Sequence, residues 1–191
     1  MKSSDKRDEI MRAALEIIAE HGFHGAPMAM IAKKAGVGAG TIYRYFESKD
    51  VLIKDLFLEL EAKITATIMD GYCDEKHMRE RFIYLFDKLF RYFLANPLHF
   101  RFLEQYYHSP YGVALRRDKL LDKAREHDAF RELFEQGIRQ QVLKDVPIFV
   151  LAAMTFSTIV ALARDTILGL IQMDDALIMK SIEACWDGIK R

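Results

Sequence analysis

Apolar side chains recur at three- and four-residue spacing along almost the whole 191-residue chain, which places them on one face of successive α-helices. Ile10, Ala14, Ile17 and Ile18 mark a first helix that begins near Ser4 or Asp5 and stops at His21-Gly22, where glycine suits a left-handed C-terminal cap. A second, shorter helix is expected from about Met28 to Lys34, and a third from about Ala39 to Phe46. Ser48 caps a fourth, which holds Val51, Leu52, Leu56, Leu60 and Ile64 and ends near Gly71. Six more are expected at about Glu75–Ala95, Pro97–His108, Gly112–Lys123, His127–Gln141, Pro147–Leu170 and Asp174–Ile189. Turns fall at Asn96-Pro97, Ser109-Pro110, Asp145-Val146-Pro147 and Met173-Asp174, because proline restricts the residue before it and cannot continue the preceding helix. The pattern holds no convincing strand, so the fold class is all-α, with nine or ten helices.

The most apolar run, Ile148–Leu162, leads straight into Arg164 and Asp165 and follows Pro147 at a favourable first helical position. A buried helix accounts for it better than a membrane span. The N-terminal MKSSDKRDEI has basic residues but no apolar run behind them, so no export signal is read. Cys73 and Cys185 stand alone, and with no CxxC spacing and scattered single histidines no disulfide framework, metal site or cofactor is indicated. A reducing cytoplasm fits.

Charge changes the picture locally. Over the chain 28 basic side chains match 28 acidic ones, and this balance points to no partner. Between Ile31 and Lys49, however, Lys33, Lys34, Arg44 and Lys49 face only Glu47, the patch where a nucleic acid would bind first. Here two short helices flank AGVG, the arrangement of a helix-turn-helix, in which a glycine-containing turn sets two helices at a steep angle. Ile31, Ala35, Val37, Ile42 and Phe46 can pack inward. Ala39, Gly40, Thr41, Tyr43, Arg44 and Tyr45 are left for the outer face, and the small residues at the helix start let backbone approach a groove closely. A YRYF taken alone is more often a core stripe, and Ile42 and Phe46 are assigned to packing.

The run IAKKAGVGAGTIYRYFESKDVL, preceded by ALEIIAEHGFHGA, resembles the N-terminal DNA-binding domain of the TetR family of bacterial transcription regulators. The resemblance covers about the first quarter of the chain and rests on I-A-x-x-A-G-V, G-T-I-Y-x-Y-F and S-K-D in fixed order. It implies that Ala39, Gly40, Thr41 and Arg44 face bases or the groove wall, and that Tyr43, Tyr45 and Lys49 touch phosphates. Arg44 is suited to fork onto guanine, and Lys49 to act as a point charge. Two departures stand out. Ala26-Pro27-Met28 replaces the Thr or Ser that commonly caps the second helix, which puts one or two phosphate contacts per half-site in doubt, and Gly38, an acceptable cap, replaces the Ser that often caps the third.

The resemblance further implies a homodimer, with the last two helices of each chain forming a four-helix interface. Phe156, Ile159, Val160, Ala163, Ile178, Ile182 and Trp186 are its candidates, and an intrachain core is the alternative use of the same residues. The middle of the chain is dense in aromatics, suitable material for an apolar ligand pocket but also for an ordinary core. Candidate ligand residues are Phe86, Phe90, Phe102, Glu104, Tyr106, His108, Phe134, Met154 and Thr158, the best wall being FRFLEQYYHSPYG. By role the chain divides into a helix-turn-helix domain over 1–48 and a larger ligand-binding and dimerisation domain over 49–191. The expected protein is a cytoplasmic, homodimeric, non-enzymatic regulator, released from a palindromic operator by a small hydrophobic or aromatic effector. The alternative is a helical small-molecule-binding protein whose vestigial helix-turn-helix does not bind DNA strongly.

Overall fold

The computed structural model describes residues 3–120 and 128–191, and ten α-helices lie among them. They are α1 (Ser3–His21), α2 (Met28–Lys34), α3 (Ala39–Tyr45), α4 (Lys49–Met69), α5 (Met78–Ala95), α6 (Pro97–Tyr107), α7 (Pro110–Leu120), α8 (Ala129–Arg139), α9 (Ile148–Ile167) and α10 (Asp175–Ile189). The fold is all-α, as the periodicity predicts. The expected helix ends at Lys123 and His127 lie outside the described residues.

Local chemistry explains where the helices begin. The Ser48 hydroxyl accepts from the Val51 amide at 3.2 Å, the Asp128 carboxylate from the Phe130 and Arg131 amides at 3.1 and 3.2 Å, and that of Asp174 from Leu177 at 2.7 Å. Each satisfies amides that have no partner inside the helix. Proline behaves in two ways. Pro97 occupies a first helical position, and Pro27 stands just before its helix as an N-cap with ψ of 148°, whereas Pro147, expected to open its helix from inside, stands one residue earlier as an N-cap with ψ of 141°. The fixed φ of proline suits extended backbone as well as helix.

Packing divides the chain into two units. One comprises the chain up to Lys63 together with Asn96–Arg116, and the other comprises Ile64–Ala95 and the chain from Arg117 onward. This partition follows contact rather than role: α6 and the start of α7 belong to the unit that carries α1, α2 and α3. In the first unit Ile10, Ile18, Ile31, Ile42, Phe46, Leu52, Ile53 and Phe102 are fully buried, and the Phe57 ring stacks on Tyr106 with centroids 4.0 Å apart. In the second, Phe82, Phe86, Phe90, Phe134, Leu151, Ile159 and Ile182 form the core. Removing such side chains from water is what holds each unit together.

The apolar α9 is not the buried helix that its composition suggests. Leu151, Thr155, Ile159 and Ala163 face inward on the packing against α5, α8 and α10. Phe149 is 59% exposed, and Ala153, Met154 and Ser157 are exposed as well. The inward residues recur every four positions, so one side of α9 is covered within the protomer and the other is not.

Candidate nucleic-acid interface

The helix-turn-helix is assembled on α1, which packs against α2, while α2 packs against α3. Ile31, Ile42 and Phe46 are fully buried in this mount, and Ala35 and Val37 are half-buried. The turn between α2 and α3 is made by backbone: the Val37 amide donates to the Ala32 carbonyl at 2.9 Å and the Gly36 amide to Lys33 at 3.2 Å. This paired closure requires a left-handed residue, supplied by Gly36 at φ 65°. Arg7 adds a tie from α1, since its guanidinium lies over the Phe46 ring at 5.3 Å and donates to Asp55 of α4 at 2.9 Å.

The start of α3 is bare. Ala39 and Gly40 are exposed, nothing lies within 4 Å of where a Cβ on Gly40 would be, and Gly38 caps the helix without a side-chain bond. Thr41 and Tyr45 are half-buried, Tyr43 is 55% exposed, and Arg44 is exposed with no hydrogen bond or ion pair among the described residues. A guanidinium held outward and unpaired keeps all its donors available.

The other basic groups are differently placed. Lys34 lies 2.9 Å from Glu16 of α1, and the hydrogen bond to that carboxylate raises the lysine's pKa. Reading charge within 31–49 missed this partner, because Glu16 lies a helix away in sequence and only packing brings it near. The Lys49 ammonium donates to the Phe23 carbonyl in the α1–α2 turn, and burial pushes its pKa down. Lys33 is exposed and, like Arg44, has no ion pair among the described residues. The N-terminus of α2 has no side-chain cap, and Pro27 there supplies neither hydroxyl nor amide hydrogen.

The remaining candidate residues fall in both units. Phe102, Glu104, Tyr106 and His108 belong to the first; Phe102 and Tyr106 are buried, and a His108 ring nitrogen lies 2.7 Å from the Glu104 carbonyl of its own helix. Neighbouring Gln105 donates to the Ala19 carbonyl at 3.3 Å, so the polar character of this stretch serves, in part, to dock α6 on α1. Phe86, Phe90, Phe134, Met154 and Thr158 belong to the second unit. Phe86 joins Phe130 and Phe156 in an aromatic cluster with centroids 4.8–5.1 Å apart, and Met154 and Thr158 are exposed. Of the residues read as a dimer surface, Ile159, Ala163, Ile178, Ile182 and Trp186 are buried in the protomer's own core, while Phe156 and Val160 are half-buried. The outward positions of the same helices include Ala153, Met154, Ser157 and Thr158 on α9 and Leu177, Lys180, Ala184 and Asp187 on α10. Helical period marks the apolar stripe in sequence, but which half of a broad stripe meets its own chain is settled by packing.

A short, side-chain-poor helix start with an outward arginine, mounted on two further helices, is the class of helix-turn-helix DNA readers. The family model of bacterial regulatory proteins of the tetR family matches residues 10–56, and that of the tetracyclin repressor-like C-terminal domain matches residues 78–190. A TetR family protein from Vibrio parahaemolyticus has a similar structure, with a TM-score of 0.77 at 33% identity over 97% of this chain and 99% of that one. A TetR family transcription regulator from Marinobacter aquaeolei VT8 gives 0.84 at 25% identity over 98% and 96%. The fatty acid metabolism regulator protein of Bacillus subtilis (strain 168) is 34% identical over 82 residues, so the match spans 43% of this chain and 42% of that relative. The chain belongs to the TetR family. It is a DNA-binding transcription regulator of that kind, and not an enzyme.

Proposed function

We propose that the protein is a cytoplasmic, homodimeric repressor that reads a palindromic operator and leaves it when a small hydrophobic or aromatic effector binds. The observation that carries the DNA reading is the unpaired Arg44 beside the open Ala39–Gly40 backbone. In this reading Ala39, Gly40 and Thr41 approach the groove, Arg44 reads a base, and Tyr43, Tyr45 and Lys49 position the phosphate backbone. Lys49 has three donor hydrogens, and the bond to Phe23 leaves two for a phosphate. One reader per chain and a twofold operator require a second copy, with recognition helices about 34–36 Å apart. The uncovered face of α9 and the outward residues of α10 are the surface assigned to that copy.

The division by role at 48/49 is kept, with the effector placed among Phe86, Phe90, Phe134, Met154 and Thr158. Effector binding favours a dimer with another spacing of recognition helices, and α4, whose residues belong to both packing units, is one of the covalent links that carries the change. Operator and effector then weaken each other's equilibrium binding by the same factor. Selection of duplexes from a random-sequence pool at moderate salt tests the reading, and enrichment of one palindrome is the expected result. Failure to enrich any would favour a small-molecule-binding protein with a vestigial reader, the reading to which the uncapped Pro27 end of α2 lends support.

A further inference from the structure

Three segments far apart in sequence meet beside the reader, all within one packing unit: the α1–α2 turn at Phe23, the start of α4 at Lys49 and Asp50, and the start of α7 at Tyr111. The Tyr111 hydroxyl donates to the Asp50 carboxylate. Its ring meets Phe23 edge-on, with centroids 5.7 Å apart and planes at 73°. Phe23 also packs edge-on against Phe102 of α6 at 5.9 Å, and its carbonyl accepts from Lys49. The contacts therefore close a ring: Tyr111 to Asp50, Asp50 along the chain to Lys49, Lys49 to the Phe23 carbonyl, and the Phe23 side chain back to Tyr111.

The local sequence explains why an outside hold is needed at this place. The turn into α2 ends on Pro27, which provides no capping side chain, so nothing on α2 itself orients the chain entering it. The sequence of α7 explains how the hold is made. A Cβ on Gly112 would stand 2.4 Å from the Tyr106 carbonyl oxygen, so only glycine lets α7 follow α6 this closely and bring Tyr111 beside Phe23. The hydroxyl of Ser109, buried in the same corner, donates to that carbonyl at 2.6 Å.

We propose that Tyr111 is a positioning residue of the DNA reader, holding the α1–α2 turn through its ring and the start of α4, with Lys49, through its hydroxyl. A binding residue must be held to about half an ångström by its surroundings, and Tyr111 supplies part of that support from outside α1–α3. The DNA arm of the test rests on the operator reading above; a second arm does not. Tyr111→Phe keeps the ring and loses only the hydroxyl, while Asp50→Asn keeps an acceptor oxygen.

On a selected operator, Tyr111→Phe is expected to bind about three- to tenfold more weakly, with unchanged base preference and an unchanged slope of log affinity against log salt, since no phosphate contact is lost. Asp50→Asn is expected to stay within about twofold of wild type. Without DNA, amide hydrogen exchange in Tyr111→Phe is expected to speed up at residues 22–26 and 49–52 and not in α8 to α10. Wild-type affinity in Tyr111→Phe overturns the proposal, even if exchange is faster, because the clamp is then packing alone. A shallower salt slope overturns it as well, by making Tyr111 a phosphate contact. If wild-type protein selects no operator, the DNA reading fails, and the exchange arm separately decides the hold on the turn: unchanged exchange removes that too.

Discussion

Arg81 donates from Nη1 to Gln136 Oε1 at 2.6 Å, and from Nε to the Tyr72 hydroxyl at 2.9 Å, although the residue is only 5% exposed and has no carboxylate partner among the described residues. Burying a cation is tolerable only while its donors are satisfied, so neutral acceptors do here what a counter-ion usually does. Gln136→Leu should therefore cost roughly 1–3 kcal/mol of unfolding free energy. Gln136→Glu, which supplies the missing charge, should be tolerated. Urea denaturation of the two variants checks this, and equal midpoints for Gln136→Leu and wild type would contradict it.

Arg44→Ala should relax base preference at one position in each half-site and cost roughly 1–3 kcal/mol per half-site against the best sequence. Competition binding with single-base operator variants measures it. A uniform loss over all sequences would show that Arg44 touches phosphate instead.

Lys49→Ala should behave differently, weakening all sequences nearly equally. If the ammonium reaches a phosphate, the salt slope should fall by about one per half-site. An unchanged slope with weaker binding would leave Lys49 only its bond to Phe23.

Tyr111 gives a pH signature. The hydrogen bond to Asp50, with burial second, pushes its pKa up to about 12 from an ordinary value of 10.0. A raised value means that folding favours the neutral phenol, so this contribution to stability is complete below about pH 10 and is lost as pH rises towards 12. Tyrosinate absorbance in wild type minus Tyr111→Phe should therefore show one group titrating near 12. A difference curve centred near 10 would mean that the contact is absent in solution.

The last two helices separate core from interface. Ile182, fully buried, should destabilise the protomer by roughly 2–5 kcal/mol when cut to alanine. Ala184→Arg and Ser157→Arg, at exposed positions, should leave the protomer folded but shift sedimentation towards a monomer and weaken operator binding. A variant that stays dimeric would move the interface elsewhere.

Much of this protein was legible from spacing alone. Helices recurred where the apolar residues did, within a few positions, because a 3.6-residue period is a local property that each segment carries by itself. The turn glycine at 36, the cap at Ser48 and the inward set Ile31, Ile42 and Phe46 depend on neighbours within a few residues. Arg44 could be singled out for the same reason: one face of α3 was apolar and it lay on the other.

What needed the tertiary structure were the relationships between segments distant in sequence. That Glu16 pairs with Lys34, that Lys49 serves Phe23, and that Tyr111 comes to Asp50 follow from helices packed side by side, and no local pattern encodes them. The same applies to α9 and α10, whose apolar stripes were plain but too broad to say which half turns inward. The sequence by itself determined the helices and the kind of reader they build, because those are written in short-range periodicity and turn chemistry. Only packing decided which charges are left unpaired, which apolar faces stay uncovered and what holds the reader in place, because each depends on surfaces contributed by other helices.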